Sequence, residues 1–353
     1  MRRFLAAMGK GVYDALPDSL AAIVSEASYR MSSGPSVYRP DNAGSGRLSK
    51  GAVVFSIDFE MAWAWRFARV HPESCVEKGL YERTMVPKIL STLDEFAVPA
   101  TWATVGHLFL DRCSRSGNGL AHGDLPRCGH FSTARWEFSR GDWYQHDPCT
   151  DLRRDPAWYA RDLIESIAGS RTGHELGCHT FSHVGFGEYC PREVALGEME
   201  QCRAAMRAFG LEPASFVFPG NDPGNFDVLS DSGIRSVRWF PKVGVELALP
   251  VRRGDGLWAF HSSLAIESRS GKANCAVRLS RLKSYLEQAI AEHLVLHVWF
   301  HPSFLPAHLD LVLTPFLRHC ANLRENGKLD VFTMGSLTRQ MESSSVHDRN
   351  RLP

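Results

Sequence analysis

The sequence lacks a surplus of charge of either sign. Its 353 residues include 40 lysines and arginines against 39 aspartates and glutamates, which leaves a formal net charge of +1. Such a balance gives no electrostatic reason to expect nucleic acid or an anionic membrane surface as a partner. With 44% hydrophobic and 22% charged residues, the composition is that of an ordinary globular protein that can bury a large core.

Long apolar runs are also lacking. No stretch approaches the roughly 18 consecutive apolar residues that a transmembrane helix requires, so none is predicted. The chain begins with two arginines, but Lys10 and Asp14 interrupt the apolar run and no A-x-A-like cleavage site follows, which argues against a signal peptide. We interpret residues 1–31 as a short amphipathic helix packed on the domain. The alternative is a helix that makes peripheral contact with a membrane or docks on a partner.

Paired cysteines are the third absence. The nine cysteines are scattered singly, and none forms a C-x-x-C pair. An odd, unclustered set indicates free thiols in a reducing compartment and predicts neither a disulfide framework nor a structural zinc knuckle. Together with the missing signal peptide, this pattern predicts a cytoplasmic protein.

The chain divides into three predicted regions. Residues 1–50 form an N-terminal helical extension and linker, because residues 32–50 are rich in glycine, serine and proline. Residues 51–341 form the main domain, and the polar residues 342–353 a flexible tail. The main domain alternates strand and helix patterns, which is typical of parallel strands with right-handed crossovers. Strands are predicted at 52–57, 98–106 (turning into a helix), 174–178, 215–218, 234–237, 294–300 and 330–333, and helices at 82–96, 156–168, 191–209, 277–293 and 309–325.

The alternation breaks at residues 112–155. This segment has no periodicity and is far longer than a routine connection, which is typical of functional lids or disordered segments. Its aromatic residues favour an ordered loop that covers a substrate: Phe131, Trp136, Phe138, Trp143 and Tyr144.

An H-x-x-x-H pair, His179 and His183, follows a short apolar run. If the chain turns helically at Cys178, residues four apart project from one face, and two imidazoles can converge on one metal ion. The context favours this pair, because the spacing alone is weak evidence.

Two other histidine pairs share that spacing: His293 with His297, and His297 with His301. Residues 294–300 have the pattern of a buried strand, however. On a strand, residues four apart lie about 13 Å from each other, too far to share a metal.

Residues with metal-binding or acid–base chemistry follow the predicted strand ends: Asp58, Glu60, His179, His183, 219–222 and His301. The carboxyl ends of parallel strands form one face of the sheet, so these side chains are expected to meet. One carboxylate and two imidazoles would hold Zn²⁺ or a similar ion with a position left open. A second carboxylate can take the proton of an attacking water, and a further histidine can protonate the leaving group. The set predicts a metal-assisted amide or ester hydrolase.

Three motifs carry a family resemblance: SIDFE at 56–60, HTFSH at 179–183 and LVLHVWFHP at 294–302. Over roughly residues 50–335 the chain resembles the polysaccharide deacetylase family, also called the NodB-homology domain or carbohydrate esterase family four. SIDFE resembles the first motif of the family, except that the two acids are separated by one residue. HTFSH matches the H-[ST]-x-x-H metal motif. The segments ATWATVG at 100–106 and FVFPGN at 216–221 are similar to the second strand and the Pro-containing motif.

The resemblance implies a fold and a set of roles. The fold would be α/β, a NodB-like distorted (β/α) barrel of about seven parallel strands, with an N-terminal helical extension and a long inserted loop. Glu60, His179 and His183 would bind a divalent metal, foremost Zn²⁺, with Co²⁺, Mn²⁺ or Ni²⁺ as alternatives. Asp58 would be the catalytic base and His301 the catalytic acid. Because the acids are not adjacent here, the roles of Asp58 and Glu60 could be exchanged.

One element of the family pattern is missing. The Pro-containing motif normally brings an arginine that orients the catalytic base, yet Phe216 and Gly220 stand where it is expected. Arg238 could supply that charge from another position. Side chains that could contact a substrate are Trp63, Trp65, Pro219, Asn221 and Arg238. The two tryptophans could stack on a sugar ring or pack in the core, and 221–222 could equally be a turn.

The function implied by the resemblance is hydrolytic removal of an N-acetyl or N-formyl group from an amino sugar or a sugar-containing biosynthetic precursor. The alternatives are a hydrolase of another non-peptide C–N bond, as in cyclic-amide hydrolases that resemble this family, and a non-catalytic glycan-binding relative.

Overall fold

The computed structural model describes residues 16–30, 34–39, 48–267 and 271–349. The predicted N-terminal helix lies partly outside the described residues, as does much of the predicted linker. Within the described ranges the helices are α1 (Asp18–Arg30), α2 (Cys75–Glu95), α3 (Arg161–Ala168), α4 (Arg192–Arg207), α5 (Phe226–Asp231), α6 (Lys272–Glu292), α7 (Pro306–His308), α8 (Thr314–Glu325) and α9 (Met334–Arg349). A π-helical turn, Leu309–Leu313, joins α7 to α8.

The strands of the described residues form one large sheet and one small hairpin. They are β1 (Val37–Tyr38), β2 (Gly51–Phe59), β3 (Thr101–Thr104), β4 (Phe131–Ser132), β5 (Glu137–Phe138), β6 (Glu175–Cys178), β7 (Ser215–Val217), β8 (Ser236–Arg238), β9 (Leu247–Ala248), β10 (Val251–Arg252), β11 (Trp258–Phe260), β12 (Leu264–Ala265), β13 (Val295–Phe300) and β14 (Leu329–Phe332). The hairpin, β4 with β5, belongs to the segment 112–155.

Seven strands of the large sheet run parallel, in the order β13, β2, β3, β6, β7, β8, β11. The chain continues from β11 into β12, which pairs with β13. The sheet therefore curls back towards its first strand, with the carboxyl ends of all seven strands on one side. The predicted α/β fold class is confirmed.

The central strand β2 is buried along its whole length, and its alternate side chains belong to two different clusters. Val53, Phe55, Ile57 and Phe59 belong to the main hydrophobic core, whereas Ala52 and Val54 pack in a second cluster inside the curl of the sheet. Successive side chains of a strand point to opposite faces, so Ser56 and Asp58 continue the inner face. This alternation directs the polar end of β2 into the interior of the sheet.

The last helix, α9, covers the inner cluster with Met334, Leu337 and Met341. α9 continues to Arg349, into the region predicted as a flexible tail from residue 342, and Glu342 forms an ion pair with Arg235. Residues 350–353 lie outside the described residues. None of the described helices is both long enough and apolar enough to cross a bilayer.

The N-terminal helix α1 packs on α6. The carboxylate of Asp18 accepts a hydrogen bond of 3.1 Å from the backbone N–H of Ala273, at the start of α6. Asn274 also donates its side-chain amide to Asp18. The described part of the extension is therefore attached to the main domain.

Several segments differ from the sequence prediction. The short strands β9–β12 lie in a stretch where no element was predicted, because strands of two or three residues carry too little periodicity to detect. A 3₁₀ turn, Gly106–Phe109, follows β3 in place of the predicted helix. The long strands and helices lie where they were predicted, with ends shifted by a few residues.

Candidate metal centre and active site

Two histidine side chains from one turn approach the same carboxylate oxygen of Glu60, which follows β2. Oε1 of Glu60 lies 2.9 Å from Nε2 of His179 and 3.2 Å from Nε2 of His183. All three residues are buried. The carbonyl of Val217 can only accept, so Nδ1 of His179, at 2.8 Å, must donate to it. This bond fixes the tautomer and leaves Nε2 of His179 with its lone pair towards Glu60.

The turn that carries the two histidines is not the helical turn expected after Cys178. Thr180 and His183 adopt left-handed backbone angles, with φ of 55° and 62°. That conformation is uncommon for residues other than glycine and must be held by its surroundings. The carbonyls of Thr180 and Phe181 accept hydrogen bonds of 2.8 and 2.9 Å from the backbone N–H groups of Gly106 and His107. The chain therefore does not turn helically at this point, although the two imidazoles do converge.

Ser182, between the two histidines, is the anchor of this turn. Glu198 accepts hydrogen bonds from the backbone N–H of Ser182, at 2.7 Å, and from its hydroxyl, at 2.5 Å. Trp143 donates its indole N–H to the same hydroxyl at 2.8 Å, and Arg66 donates to the carbonyl at 2.7 Å. Tyr144 also donates to Glu198, at 2.9 Å. No sequence motif signalled Glu198, because it lies on α4, which looks like an ordinary amphipathic helix.

Asp58 is held by Arg238 and not by the histidine pair. Two guanidinium nitrogens of Arg238 donate to the two carboxylate oxygens of Asp58, each at 2.6 Å, and one also donates to the Ser56 hydroxyl at 2.9 Å. Both ends of this ion pair are buried. A bidentate arginine fixes the carboxylate plane as well as its position. Of the two acids in SIDFE, the structure brings Glu60 to both imidazoles and Asp58 to the arginine.

His301 approaches both acids from the end of β13. The register pairs Phe300 with Ile57, so the next residues of the two strands, His301 and Asp58, come together. Nε2 of His301 lies 3.7 Å from Oδ2 of Asp58 and 3.9 Å from Oε2 of Glu60. Its Nδ1 faces Oε1 of Glu267 at 3.1 Å, which also accepts from its backbone N–H at 2.7 Å. Glu267 lies in a stretch without a motif, so sequence reasoning had no signal for it.

The protonation of these groups follows from their neighbours. Burial alone would raise the pKa of Glu60, but the close imidazoles of His183, His301 and His179 hold that pKa well below its usual value. Burial lowers the pKa of His183, which favours the neutral imidazole that binds metals. Burial would also lower the pKa of His301, but Glu60, Glu267 and Asp58 outweigh it and raise the pKa to about 10.

A further buried carboxyl supports the first acid. Glu82, on α2, accepts a hydrogen bond from the backbone N–H of Met61, directly after Glu60. Desolvation and the charge of Glu60 raise the pKa of Glu82 well above its usual value. The hydrogen bond between Glu82 and Met61 therefore fixes the backbone next to Glu60.

The segment 112–155, called the lid below, packs over this centre. The Trp136 ring lies 5.6 Å from the ring of His183, and an added Cβ at Gly220 would meet the indole nitrogen of Trp136 at 2.8 Å. A cleft with about 20 Å³ open to water runs between the lid and the barrel. Its lining includes Trp63, Phe67, Phe131, Trp136, Trp143, His183, Tyr189 and Pro219.

A larger cavity, of about 650 Å³, lies beside Asp58 at the carboxyl ends of β7, β8 and β11. Asn221 and Arg238 line it. Of the predicted substrate contacts, Trp63 and Pro219 thus line the cleft, and Asn221 and Arg238 the larger cavity. Trp65 lines neither; Lys78 lies over its ring, with the ammonium nitrogen 3.6 Å from the ring centroid.

The donor set fits a divalent metal ion. Glu60, His179 and His183 can each direct one ligand atom to a common point, and a second grouping joins Asp58, Glu60 and His301. Two neutral imidazoles and a carboxylate are ligands that zinc and similar ions accept. Three protein ligands also leave a coordination position for water or substrate.

One known protein family matches part of this chain. Residues 74–231 match the model of the family described as polysaccharide deacetylase. The resemblance predicted from the sequence is confirmed. The matched residues of this chain include the HTFSH turn. They begin after Asp58 and Glu60 and end before Arg238 and His301. No curated protein matches the chain.

Three solved structures share the fold of this chain at low identity. A protein described as a polysaccharide deacetylase from Mycobacterium smegmatis is 16% identical, with a TM-score of 0.54 over 88% of this chain and 95% of its own. A similarly described protein from Pseudomonas aeruginosa PAO1 is 13% identical, with a TM-score of 0.53 over 86% and 92%. The Puue allantoinase is 14% identical, with a TM-score of 0.53 over 88% and 95%. At these identities the likeness extends to the fold alone.

Proposed function

We propose that this protein is a metal-dependent deacetylase that removes an N-acetyl or N-formyl group from an amino sugar or a sugar-containing biosynthetic precursor. The observation that carries the proposal is the arrangement of the two acids. One oxygen of Glu60 is shared by the Nε2 atoms of His179 and His183, while Asp58, two residues earlier, is held by Arg238. Amide hydrolysis needs a metal ligand set and a separate carboxylate base in one place, and this arrangement supplies both.

In this proposal Glu60, His179 and His183 hold the ion. When bound there, a divalent ion such as Zn²⁺, or Co²⁺, Mn²⁺ or Ni²⁺, polarises the carbonyl group of the amide and makes a water molecule more acidic. The hydrogen bond from His179 to the Val217 carbonyl keeps its ring oriented for this role.

The proton transfers are assigned to Asp58 and His301. Asp58 accepts a proton from the attacking water, and Arg238 keeps its carboxylate facing that water. Nε2 of His301 lies 3.7 Å from Asp58 and 3.9 Å from Glu60, so the protonated ring can donate a proton to the amide nitrogen as the C–N bond breaks. One water is consumed, and the products are a carboxylate and a free amine. Glu267 holds Nδ1 of His301, which directs Nε2 to the two acids.

The sugar is assigned to the larger cavity beside the acids, which has the volume of an ordinary small-molecule pocket and is lined by Asn221 and Arg238. The cleft under the lid is much smaller, and Trp63 is almost fully buried in its wall. The half-buried Trp136 at that cleft offers a flat face that suits the apolar face of a pyranose ring. The cytoplasmic location stays a prediction from the cysteine pattern.

The test is product analysis with purified, zinc-loaded protein and a panel of N-acetylated and N-formylated amino sugars. We expect release of acetate or formate together with a free amine. Asp58→Asn should abolish turnover while the bound metal per chain stays unchanged, whereas Glu60→Gln should also lose the ion held by His179 and His183. Turnover that survives Asp58→Asn would contradict the assignment of the base.

Two rival functions give different results in the same assay. The fold is shared with an allantoinase, so a hydrolase of another non-peptide C–N bond is the nearest rival. Such an enzyme would leave the whole sugar panel intact and open a cyclic amide instead. A non-catalytic glycan-binding relative would retain affinity for sugars without turnover and without need of a stoichiometric metal.

A further inference from the structure

A second group of metal-ligating side chains lies where the lid joins the barrel. It consists of His107, just after β3, and of Cys113, His122 and Asp147 from the lid, and is called the lid-base cluster below. One ligand atom from each residue lies within 4.8 Å of all the others. The cluster shares no residue with the candidate active site, and no sequence motif assigns its residues a role.

The distances within the lid-base cluster are close to those of a metal site. Oδ2 of Asp147 lies 2.8 Å from Nε2 of His122, 3.2 Å from Nε2 of His107 and 3.5 Å from Sγ of Cys113. In a tetrahedral zinc site with the usual bond lengths, neighbouring N and O ligand atoms are about 3.3 Å apart, and pairs that include sulfur slightly more. Of these three contacts, only that between His122 and Asp147 would have to lengthen, by a few tenths of an ångström, and the remaining ligand pairs lie within 4.8 Å.

His107 shows why an ion is expected there. Its ring is fully buried, and its Nδ1 lies 3.2 Å from the carbonyl of Trp158. A carbonyl only accepts, so Nδ1 carries the proton and Nε2 of the neutral ring presents a lone pair. Nε2 faces Oδ2 of Asp147 but forms no hydrogen bond with any group in the described structure. A buried nitrogen lone pair opposite a carboxylate oxygen is repulsive, and a cation between them removes the repulsion.

We propose that the lid-base cluster is a structural Zn²⁺ site. One thiolate, two imidazoles and one carboxylate complete a tetrahedron without an open position, which is typical of structural and not of catalytic zinc. The thiol and imidazoles select zinc over hard ions such as Mg²⁺ or Ca²⁺. Binding displaces the proton of the Cys113 thiol into solvent, and coordination replaces the hydrogen bond between Nε2 of His122 and Asp147, with the His122 imidazole proton moved to Nδ1.

Such an ion would fasten the lid to the barrel. Three of its ligands come from separate points of the lid, and the fourth follows the barrel strand β3. The ring of Phe181, within the HTFSH turn, packs against His107 and His122 at centroid distances of 5.5 and 5.2 Å. The Trp63 ring, which lines the cleft, lies 4.4 Å from the ring of His107. The zinc would therefore support both the lid and the turn that carries His179 and His183.

Cobalt substitution tests the proposal without any activity assay. A cysteine thiolate bound to Co²⁺ gives a charge-transfer band in the near ultraviolet, and the Glu60, His179 and His183 group contains no sulfur. The full-length protein, stripped with a chelator and titrated with Co²⁺, should bind two equivalents, of which one produces the thiolate band. Refilling with Zn²⁺ should abolish the band and raise the melting temperature by mass action.

Variants assign each equivalent to a site. Cys113→Ser should lose the thiolate band and one equivalent and keep the other. Cys149→Ser is the matched control, since that thiol lies nearby but outside the cluster, and it should keep both equivalents. His122→Gln, at a partly exposed position, should also lose one equivalent and serves if Cys113→Ser does not fold. His179→Ala should lose the other equivalent and keep the band, so the two proposed metal sites can fail independently.

The opposite results would overturn the proposal. The proposal is refuted if the protein binds a single equivalent of Co²⁺, loses it in His179→Ala and gives no thiolate band. The lid-base cluster is then only a group of hydrogen-bonded polar side chains. The zinc site is equally refuted if the band is present but survives in Cys113→Ser, because another thiol then binds the cobalt.

Discussion

Arg238 and Asp58 form a buried, bidentate ion pair although their strands, β8 and β2, are separated by three other strands in the sheet. The pair spans the interior of the curled sheet. Asp58 stands at the end of the inner face of β2, and Arg238 is the last residue of β8. The contact therefore depends on the curvature of the sheet, and it sets the orientation of the proposed catalytic base.

Removing one partner of this ion pair should destabilise the protein strongly. In Arg238→Met the Asp58 carboxylate remains buried without its cation, and such a change typically costs about 3–5 kcal/mol in free energy of unfolding. Asp58→Asn should cost a similar amount, because it leaves the guanidinium unpaired. The double variant should cost clearly less than the sum of the two, since neither charge is then stranded.

Urea unfolding of the four proteins, in the presence of a chelator so that metal binding does not contribute, measures this coupling. Costs that add to within about 0.5 kcal/mol would show that the two side chains do not interact in solution. Arg238→Lys is the matched control for charge. It should recover part of the stability but not the bidentate geometry, and turnover in the proposed reaction should stay low.

The sequence predicted the parts of this site that are local in the chain. The acids of SIDFE are two residues apart at the end of one strand, Asp58 within β2 and Glu60 directly after it, so both are expected at the same edge of the sheet. The HTFSH pair converges within five residues. Arg238 could be suggested only because the expected arginine was missing, and its pairing with Asp58 depends on how strongly the sheet curls. No local pattern encodes that curvature.

Contacts between distant segments escaped prediction for the same reason. Glu267 and Glu198 hold His301 and Ser182 from segments that carry no motif. The lid-base cluster draws its four ligands from positions with irregular spacing, whereas recognisable zinc motifs have short, fixed intervals. The chain does not turn helically after Cys178, because backbone hydrogen bonds from Gly106 and His107 stabilise a left-handed conformation there.

Trp136 is predicted to contribute to substrate binding and not to the chemical step. Its half-buried ring covers His183 and lies against Gly220, next to the Asn221 that lines the larger cavity, where a bound sugar would contact it. Trp136→Ala should raise KM for an N-acylated amino sugar by about 2- to 10-fold, the loss expected for one aromatic contact, with kcat little changed. Steady-state kinetics at several substrate concentrations separates the two parameters.

Trp65 provides the matched control for that experiment. It is also half-buried and near the end of β2, but its ring is covered by Lys78 and lines neither cavity. Trp65→Ala should therefore leave KM unchanged, and Trp136→Phe should restore most of the affinity lost in Trp136→Ala. Equal effects of the two alanine substitutions on KM would argue against a specific contact with Trp136.

His261 should make the stability of the fold depend on pH. The ring is buried between β11 and β13, and its Nε2–H donates to the carbonyl of Val295 at 3.0 Å. Burial lowers the pKa of His261 to about 4. In the unfolded chain the pKa of a histidine is near 6.5. Between that pH and about 4, the unfolded state therefore binds a proton at His261 while the folded state keeps the ring neutral. The free energy of unfolding should therefore fall as the pH is lowered, by roughly 2 kcal/mol between pH 7 and pH 5 from this residue.

Urea unfolding at pH 7, 6 and 5, with a chelator present, measures the slope. His261→Gln keeps an N–H donor for Val295 but cannot titrate, so its slope should be smaller by up to about 1 kcal/mol per pH unit. His71→Gln is the matched control, since the side chain of His71 is 70% exposed, and it should keep the full slope. His297, also buried with a lowered pKa, should leave part of the slope in every variant. An unchanged slope in His261→Gln would mean that water reaches the ring in the folded protein and that the interior between β11 and β13 is less closed than the structure shows.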